Sequence, residues 1–356
     1  MSIVLAIIFA VLLFSILIFV HEWGHFIAAK LSGVQVNEFA VFMGPPIVKW
    51  TRGETQYSIR CIPIGGYCAM EGEDGGSDNP RAFHAAAWWK RLIILVAGSF
   101  MNFVIGVIIV AIVLFCQPLY TTPVITEVDS RSALSGYQGL QVGDTILELD
   151  GEKIRVFEDF SLATLLLPDG KYDMVVLRNG QKVALADVPM IRCVPDESNG
   201  ENLLYGLSFQ VEDTTLSNVP GRILPTAMNH VKTVLISLKM LLTGQAGLKD
   251  MTGPVGVVGM MTEAAAESKT MTYALVILLW FGGFIAINLG VMNLLPIPAL
   301  DGGRVFGLVV TVAIEAILRR KIEPRYEGYI HGIGMILLLI LMAVVMFKDV
   351  FMLIMR

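Results

Sequence analysis

Four long apolar runs limit what this chain can fold into: Ile3–Ala29, Leu92–Phe115, Met271–Leu295 and Ile330–Phe347. Each holds about 18 or more residues with few charges, enough for a helix to cross the ~30 Å of hydrocarbon in a bilayer. Hydrophobic residues make up 55% of the 356 and charged residues 16%, a membrane composition with room for an added soluble domain. The modest net charge of −5 argues against a nucleic-acid partner and leaves the lipid bilayer as the expected surroundings. The first run lacks the basic start and the small-residue cleavage site of a signal peptide.

Inside that first run stands His21-Glu22-Trp23-Gly24-His25. On a helix, His21 and His25 are one turn apart and share a face, so both imidazoles reach one Zn²⁺. Glu22 lies beside them, placed to take a proton from water at the metal. Two His and one Glu are expensive inside hydrocarbon unless they have partners, so the cluster reads as functional. The alternative is an interfacial cluster without metal.

Lys and Arg near the span ends set the orientation. Lys30, Lys49, Arg52, Arg60, Arg81, Lys90 and Arg91 lie between spans one and two; Arg304, Arg319, Arg320, Lys321 and Arg325 lie between spans three and four. The long middle segment has only Arg131 soon after span two and Lys269 just before span three. Both short loops therefore belong in the cytoplasm. Both termini and the middle domain belong outside, with the zinc motif toward the cytoplasmic side. Cys61, Cys68, Cys116 and Cys193 form no C-x-x-C pair, which argues against a structural zinc or redox motif. Cys116 and Cys193 could pair outside; the sequence leaves that open.

Val36–Met70 reads as a small β unit in or against the membrane, with a strand-like stretch over Thr55–Pro63 ended by Gly65-Gly66. Its edge, with Tyr57, Ile59 and Cys61, could hold a peptide by strand addition; an ordinary hairpin is the alternative. Span two carries Gly98, Asn102 and Gly106 at four-residue spacing, a close-packing face on which Asn102 could also touch substrate. Pro123–Met190 is a strand-rich α+β domain, with a hairpin signal at Asn179-Gly180 and helical spacing over Phe157–Leu167. Its pattern resembles a PDZ domain, which takes a peptide as an added strand; the alternative is a spacer that blocks bulky proteins. Ile223–Leu242 is expected as an interfacial helix, and Gly253-Pro254-Val255-Gly256 as a break before span three.

A catalytic zinc wants three protein ligands and one open position. The candidate third ligand is Asp301, in Asn288-Leu-Gly-Val-Met-Asn293-Leu-Leu-Pro296-Ile-Pro298-Ala-Leu-Asp301-Gly302-Gly303-Arg304. The prolines there remove amide donors and unwind the helix, and the glycines permit close approach of backbones. A helix cap is the other reading of Asp301.

Together, His-Glu-Trp-Gly-His in the first span, Asn-Leu-Leu-Pro-Ile-Pro-Ala-Leu-Asp-Gly-Gly in the third, and a PDZ-like domain between spans two and three resemble the site-2 protease family, RseP type. The resemblance implies a polytopic α-helical membrane protein. It would have four transmembrane helices, a membrane-associated β element and an inserted α+β PDZ-like domain. It implies zinc held by His21, His25 and Asp301, Glu22 as general base, and substrate backbone held by Asn288 and Asn293. Gln56–Met70 would be the substrate edge. The expected partition is 1–118 for the first two helices with the β loop, 119–192 for the PDZ-like domain, 193–270 for a linker with the interfacial helix, and 271–356 for the last two helices. The chain has one PDZ-like domain where several relatives have two, and Ser99 where relatives often have Pro. The expected activity is zinc-dependent cleavage of single-span membrane proteins, such as trimmed anti-sigma factors or remnant signal peptides, in a bacterial cytoplasmic membrane. A non-catalytic PDZ scaffold is the alternative class, and a metal transporter a third; neither needs a base such as Glu22.

Overall fold

A computed structural model describes residues 3–73, 77–137, 139–195, 203–247, 251–268, 270–319 and 325–355. Lys269, Arg320 and Lys321, used above for orientation, lie outside the described residues. The chain divides into two compact units, Met1–Val110 with Val234–Arg356, and Ala111–Thr233.

In the first unit the four apolar runs are helices: α1 (Ile3–Ser32), α2 (Trp88–Cys116), α6 (Met271–Met292) and α8 (Arg325–Met355). The stretches long and apolar enough to cross a membrane are Val4–Ser32, Trp88–Cys116, Met271–Met292 and Gly332–Met352. Their side chains are apolar on nearly every side, and Ile8 and Leu12 of α1 and Ile336, Leu337 and Ile340 of α8 are exposed, as lipid-facing positions must be. Where helices touch, small residues let the backbones meet. A Cβ at Gly106 of α2 would lie 2.6 Å from Ile287 of α6, and one at Gly290 of α6 would lie 3.0 Å from the Ser99 carbonyl.

Between α1 and α2 run two long strands, β1 (Val36–Arg52) and β2 (Thr55–Met70). Both bend, at positive-φ Phe42 and Gly44 in β1 and Gly65 in β2, so the pair forms a sheet of four short arms. Residues 38–41 pair on one side with 56–59 and on the other with 66–69, while 46–52 pair with the outer side of 55–60. The sheet order by arm is therefore 46–52, 55–60, 38–41, 66–70. Phe26 of α1, Phe39, Tyr57 and Trp50 join in one aromatic cluster, with Trp50 stacked on Tyr57 at 5.7 Å.

Two further helices belong to this unit, α5 (Pro254–Ala266) and α7 (Asp301–Leu318). Gly253-Pro254-Val255-Gly256, expected as a break, starts a helix instead, with Gly253 as N-cap and Pro254 in the first turn, where its missing N–H costs nothing. The buried Asp349 carboxylate of α8 accepts the Gly253 and Gly256 amides, both at 2.9 Å. A charged side chain on a membrane-length helix is thereby spent on orphan amide donors.

The second unit holds β3 (Leu119–Val128), β4 (Thr145–Leu149), β5 (Glu152–Lys153), α3 (Phe157–Leu166), β6 (Gly170–Arg178), β7 (Gln181–Met190), β8 (Val194–Pro195), β9 (Leu203–Leu204), β10 (Leu207–Asp213) and the start of α4 (Pro220–Leu242). The main sheet runs β10-β3-β4-β6-β7, with β5 paired to β4. Asp150 and Gly151, and Asn179 and Gly180, take positive φ at the tight turns where the sequence places Asp-Gly and Asn-Gly. The core is Ile125, Ile146, Leu149, Phe160, Met174, Val176 and Val188 with their neighbours. α3 is capped by its own Asp159, which accepts the Arg155 and Val156 amides. Asp159 also meets Asn229 and Lys232 of α4.

Candidate active site

His21 and His25 face one way from α1, as a four-residue spacing requires. Their Nε2 atoms are 3.2 Å apart. Asp301 Oδ2 completes a triangle, 3.2 Å from His21 Nε2 and 3.3 Å from His25 Nε2. The Asp301 oxygen is buried and has no hydrogen-bond partner among the described residues. His25 Nδ1 lies 2.8 Å from the Ile94 carbonyl. A carbonyl only accepts, so Nδ1 carries the proton and the Nε2 lone pair of the neutral ring turns inward. Two lone-pair donors and a carboxylate thus converge on one point, an arrangement that a cation relieves. Their spacing also fits: tetrahedral bonds of about 2.0–2.1 Å to nitrogen and oxygen place ligand atoms roughly 3.3 Å apart.

The surrounding backbone explains how these groups meet. A Cβ at Gly98 would run into His25 Nε2 and stand 2.8 Å from His21 Cε1, so only glycine lets α2 pass this close to the imidazoles. Gly24 serves the same approach, since its Cβ would lie 2.5 Å from the Ala97 carbonyl oxygen. Asp301 is the first residue of α7, with Leu300 as the N-cap. It is delivered by a folded-back loop in which the Gly302 amide donates to the Asn293 carbonyl at 2.6 Å. A Cβ at Gly302 or Gly303 would strike the backbone of Leu294, Leu295 and Ile297. Ala299 is held at φ 86, a left-handed conformation that a non-glycine residue adopts only under local constraint. The helix-cap reading of Asp301 gives way: Leu300 is the N-cap, Asp301 is the first residue of α7, and its side chain faces the imidazoles.

The other expected residues separate. Asn102 is buried, 1% exposed, and its amide lies 3.3 Å from His21 Nδ1, so it backs an imidazole. Its Oδ1 has no hydrogen-bond partner among the described residues. Turning the amide over lets that oxygen accept from Nδ1–H, the tautomer that frees Nε2. Asn288 and Asn293 stand at the end of α6, both half-buried. Tyr57 and Ile59 do not form an edge. Their arm is paired on both sides, to 38–41 and to 46–52, and Tyr57 is packed among Phe26, Phe39 and Trp50. Cys61 is exposed, at the bend where its sulfur faces Gly44. The arm beside the site is 66–70, which pairs in the sheet on one side only. A Cβ at Gly66 would lie 3.6 Å from Glu22 Cγ, and Ser15 of α1 donates to the nearby Pro63 carbonyl at 3.1 Å. Arg304, one turn into α7, pairs with Glu73 just beyond this arm. Sequence reasoning missed Gly66 and the Ile94 carbonyl. The first was visible only as a turn glycine, and the second is a backbone atom with no signature.

Residues 9–341 match the model of peptidase family M50. Two clostridial relatives, provisionally named zinc metalloproteases, align almost end to end: that of Clostridium acetobutylicum is 37% identical, covering 97% of each chain, and that of Clostridium perfringens 35%, covering 97% of this chain and 98% of its own. The regulator of sigma-W protease RasP of Bacillus subtilis is 28% identical over 96% of this chain and 97% of its own. A peptidase embedded in a membrane is the class that fold and site define. The chain belongs to peptidase family M50, the site-2 protease family.

Proposed function

We propose that this protein is a zinc-dependent intramembrane endopeptidase, with Zn²⁺ held by His21, His25 and Asp301 and with Glu22 as the general acid–base. The observation that carries the reading is the convergence of the two imidazoles and the carboxylate, with Glu22 on the same helix turn. Held by His21, His25 and Asp301, Zn²⁺ would supply Lewis acidity to polarise a carbonyl and to acidify water. Glu22 takes the proton of the attacking water and returns it to the leaving nitrogen. The Ile94 carbonyl would hold His25, and the Asn102 amide, turned over, would hold His21, each with its Nε2 lone pair directed inward. A substrate helix hides its carbonyls in its own hydrogen bonds, so it must unwind before cleavage. The free side of the 66–70 arm, beside Glu22, supports its capture as an added strand. Asn288 and Asn293 would take up backbone groups that unwinding leaves unpaired.

The substrates we infer are single-span membrane proteins, such as trimmed anti-sigma factors or remnant signal peptides; the name of the Bacillus subtilis relative ties that protein to sigma-W. The setting is a bacterial cytoplasmic membrane. The loop between spans one and two faces the cytoplasm, and the PDZ-like segment 119–192 and both termini lie outside. The test is purified protein incubated with tagged single-span substrates. Cleavage should stop with a zinc chelator and return with added Zn²⁺. Cleavage that continues in the chelator removes the metal from the reaction.

A further inference from the structure

The 66–70 arm ends in a tight turn that folds Glu73 back onto it. The Glu73 amide donates to the Met70 carbonyl, and the Met70 amide donates to Glu73 Oε2, both at 3.4 Å. Two further bonds pin the turn. The Phe83 amide donates to the Glu71 carbonyl at 2.7 Å, and His84 Nδ1 donates to the Gly72 carbonyl at 3.0 Å. The Glu71 amide points into the sheet, to the Gln35 carbonyl at 2.9 Å. Successive amides of a strand alternate in direction, so the Met70 amide lies on the free side of the arm. Glu73 therefore occupies the last donor of that free side. Its other oxygen, Oε1, pairs with Arg304 of α7. Asp301, Arg304 and Leu308 follow at spacings of three and four, so they share one face of that helix. Leu308 is buried in one cluster with Phe39, Cys68 and Met70 of the sheet. One carboxylate thus joins the end of the open edge to the helix that begins with a candidate zinc ligand.

We propose that Glu73 is a positioning residue that sets the register of a substrate strand on the 66–70 arm and ties that register, through Arg304, to the helix carrying Asp301. The proposal rests on the peptidase reading and adds to it which bond is presented. With the Met70 amide occupied, an added strand uses the free-side groups of Gly66 and Cys68 and stops there. A slip of one residue turns every side chain to the other face, so the slip that strand pairing tolerates is one of two residues. Glu73 blocks that slip toward the 71–73 turn and keeps the paired segment beside Gly66 and Glu22. Arg304 fixes where the stop stands relative to Asp301. Apolar burial such as that of Leu308 is non-directional, whereas the ion pair joins named atoms of the arm's end and of α7.

The test reads product termini by mass spectrometry after full-length protein in detergent has cut a tagged single-span substrate. Glu73→Ala frees the Met70 amide and should move a substantial share of the cuts by two residues, with zinc retained. A residue that only supported the fold would lower the rate and leave the cut in place. Glu73→Gln keeps an oxygen for the Met70 amide and loses the ion pair. Its cut should stay in place while kcat/KM falls roughly threefold to tenfold, the scale of coupling between residues in contact. Arg304→Gln should match it, and the double variant should be no worse than either single one, because all three remove the same interaction. Wild-type cut positions in a folded Glu73→Ala overturn the proposal. So do losses in the two Gln variants that multiply in the double one, and this second comparison decides if Glu73→Ala fails to fold. A wild-type protein that cuts no substrate overturns the peptidase reading and this proposal with it, whereas cutting with unmoved termini overturns this proposal alone.

Discussion

The 66–70 arm of β2 is paired on one side only and passes Glu22, whereas β3 in the second unit is paired along both sides, one of them by the chain's own β10. An open edge is a template for any extended chain, and proteins usually cover it. Here an open edge lies beside the candidate catalytic carboxylate, whereas β3 is interior to its sheet, whose outer strands are β10 and β7. A peptidase that must unwind its substrate needs the first.

The largest effects concern what the open edge leads to. Glu22→Gln should leave zinc bound and lower cleavage on the order of 10²–10⁴-fold, since the amide cannot accept the proton. Turnover near wild type in detergent would remove Glu22 from the reaction and leave the open edge without a purpose. Gly98→Leu should cost the metal itself, because its side chain must occupy the space of the His25 ring. Metal analysis showing full zinc content in that variant would move the site elsewhere. Gly66→Val tests the edge directly. Its added methyls crowd the Ala40 carbonyl and the Glu22 side chain, so cleavage should fall at least about tenfold while zinc is retained, as expected when strand addition is blocked. Unchanged cleavage would show that substrate approaches from another side. Asn102→Leu should weaken zinc binding by about 10–100-fold, the usual cost of losing an imidazole's outer hydrogen bond, and Asn102→Asp should recover most of it. Equal zinc affinity in both variants would reduce Asn102 to a packing residue.

The site was more legible in the sequence than the sheets around it. His21, Glu22 and His25 are bound to one helix by their spacing, so their geometry follows from the helix alone. The meeting of Asp301 with them depends on contacts between segments nearly three hundred residues apart, and the need for a third ligand together with the family resemblance pointed to it. The free edge was misplaced because alternation identifies a strand without saying which neighbours it has. Tyr57, Ile59 and Cys61 alternate imperfectly with Ser58, Arg60 and Ile62, and the arm of Tyr57 and Ile59 is interior, since β1 and β2 each bend and pair twice. β10 went unread although Leu207, Phe209 and Val211 alternate with Ser208, Gln210 and Glu212. The signal was present, but its partner β3 lies far back in the chain.

The smallest expected effect concerns how the open arm is held. Arg60 bonds the Glu38 carboxylate at 2.8 Å and the Gly44 carbonyl at 2.7 Å, and also meets the Tyr67 hydroxyl. It thereby ties the 66–70 arm to the interior of its sheet. Burial works to raise the Glu38 carboxyl, but hydrogen bonds from Arg60, Ser58 and Tyr67 outweigh it and hold the pKa at about 2, below its usual 4.5. A carboxylate depressed on folding contributes stability that is complete above its unfolded pKa and is lost as the pH falls toward the folded one. The arm should therefore loosen between about pH 4.5 and 2, and not on the alkaline side. Glu38→Gln removes the charge at any pH and should reproduce the acid effect at pH 7. The readout is hydrogen exchange of the Tyr67–Met70 amides, corrected for intrinsic rates, with a few-fold acceleration expected in the variant because solvent still screens this part-buried ion pair. Identical exchange in wild type and variant at pH 7 would mean that β1 pairing alone keeps the edge in place beside Glu22.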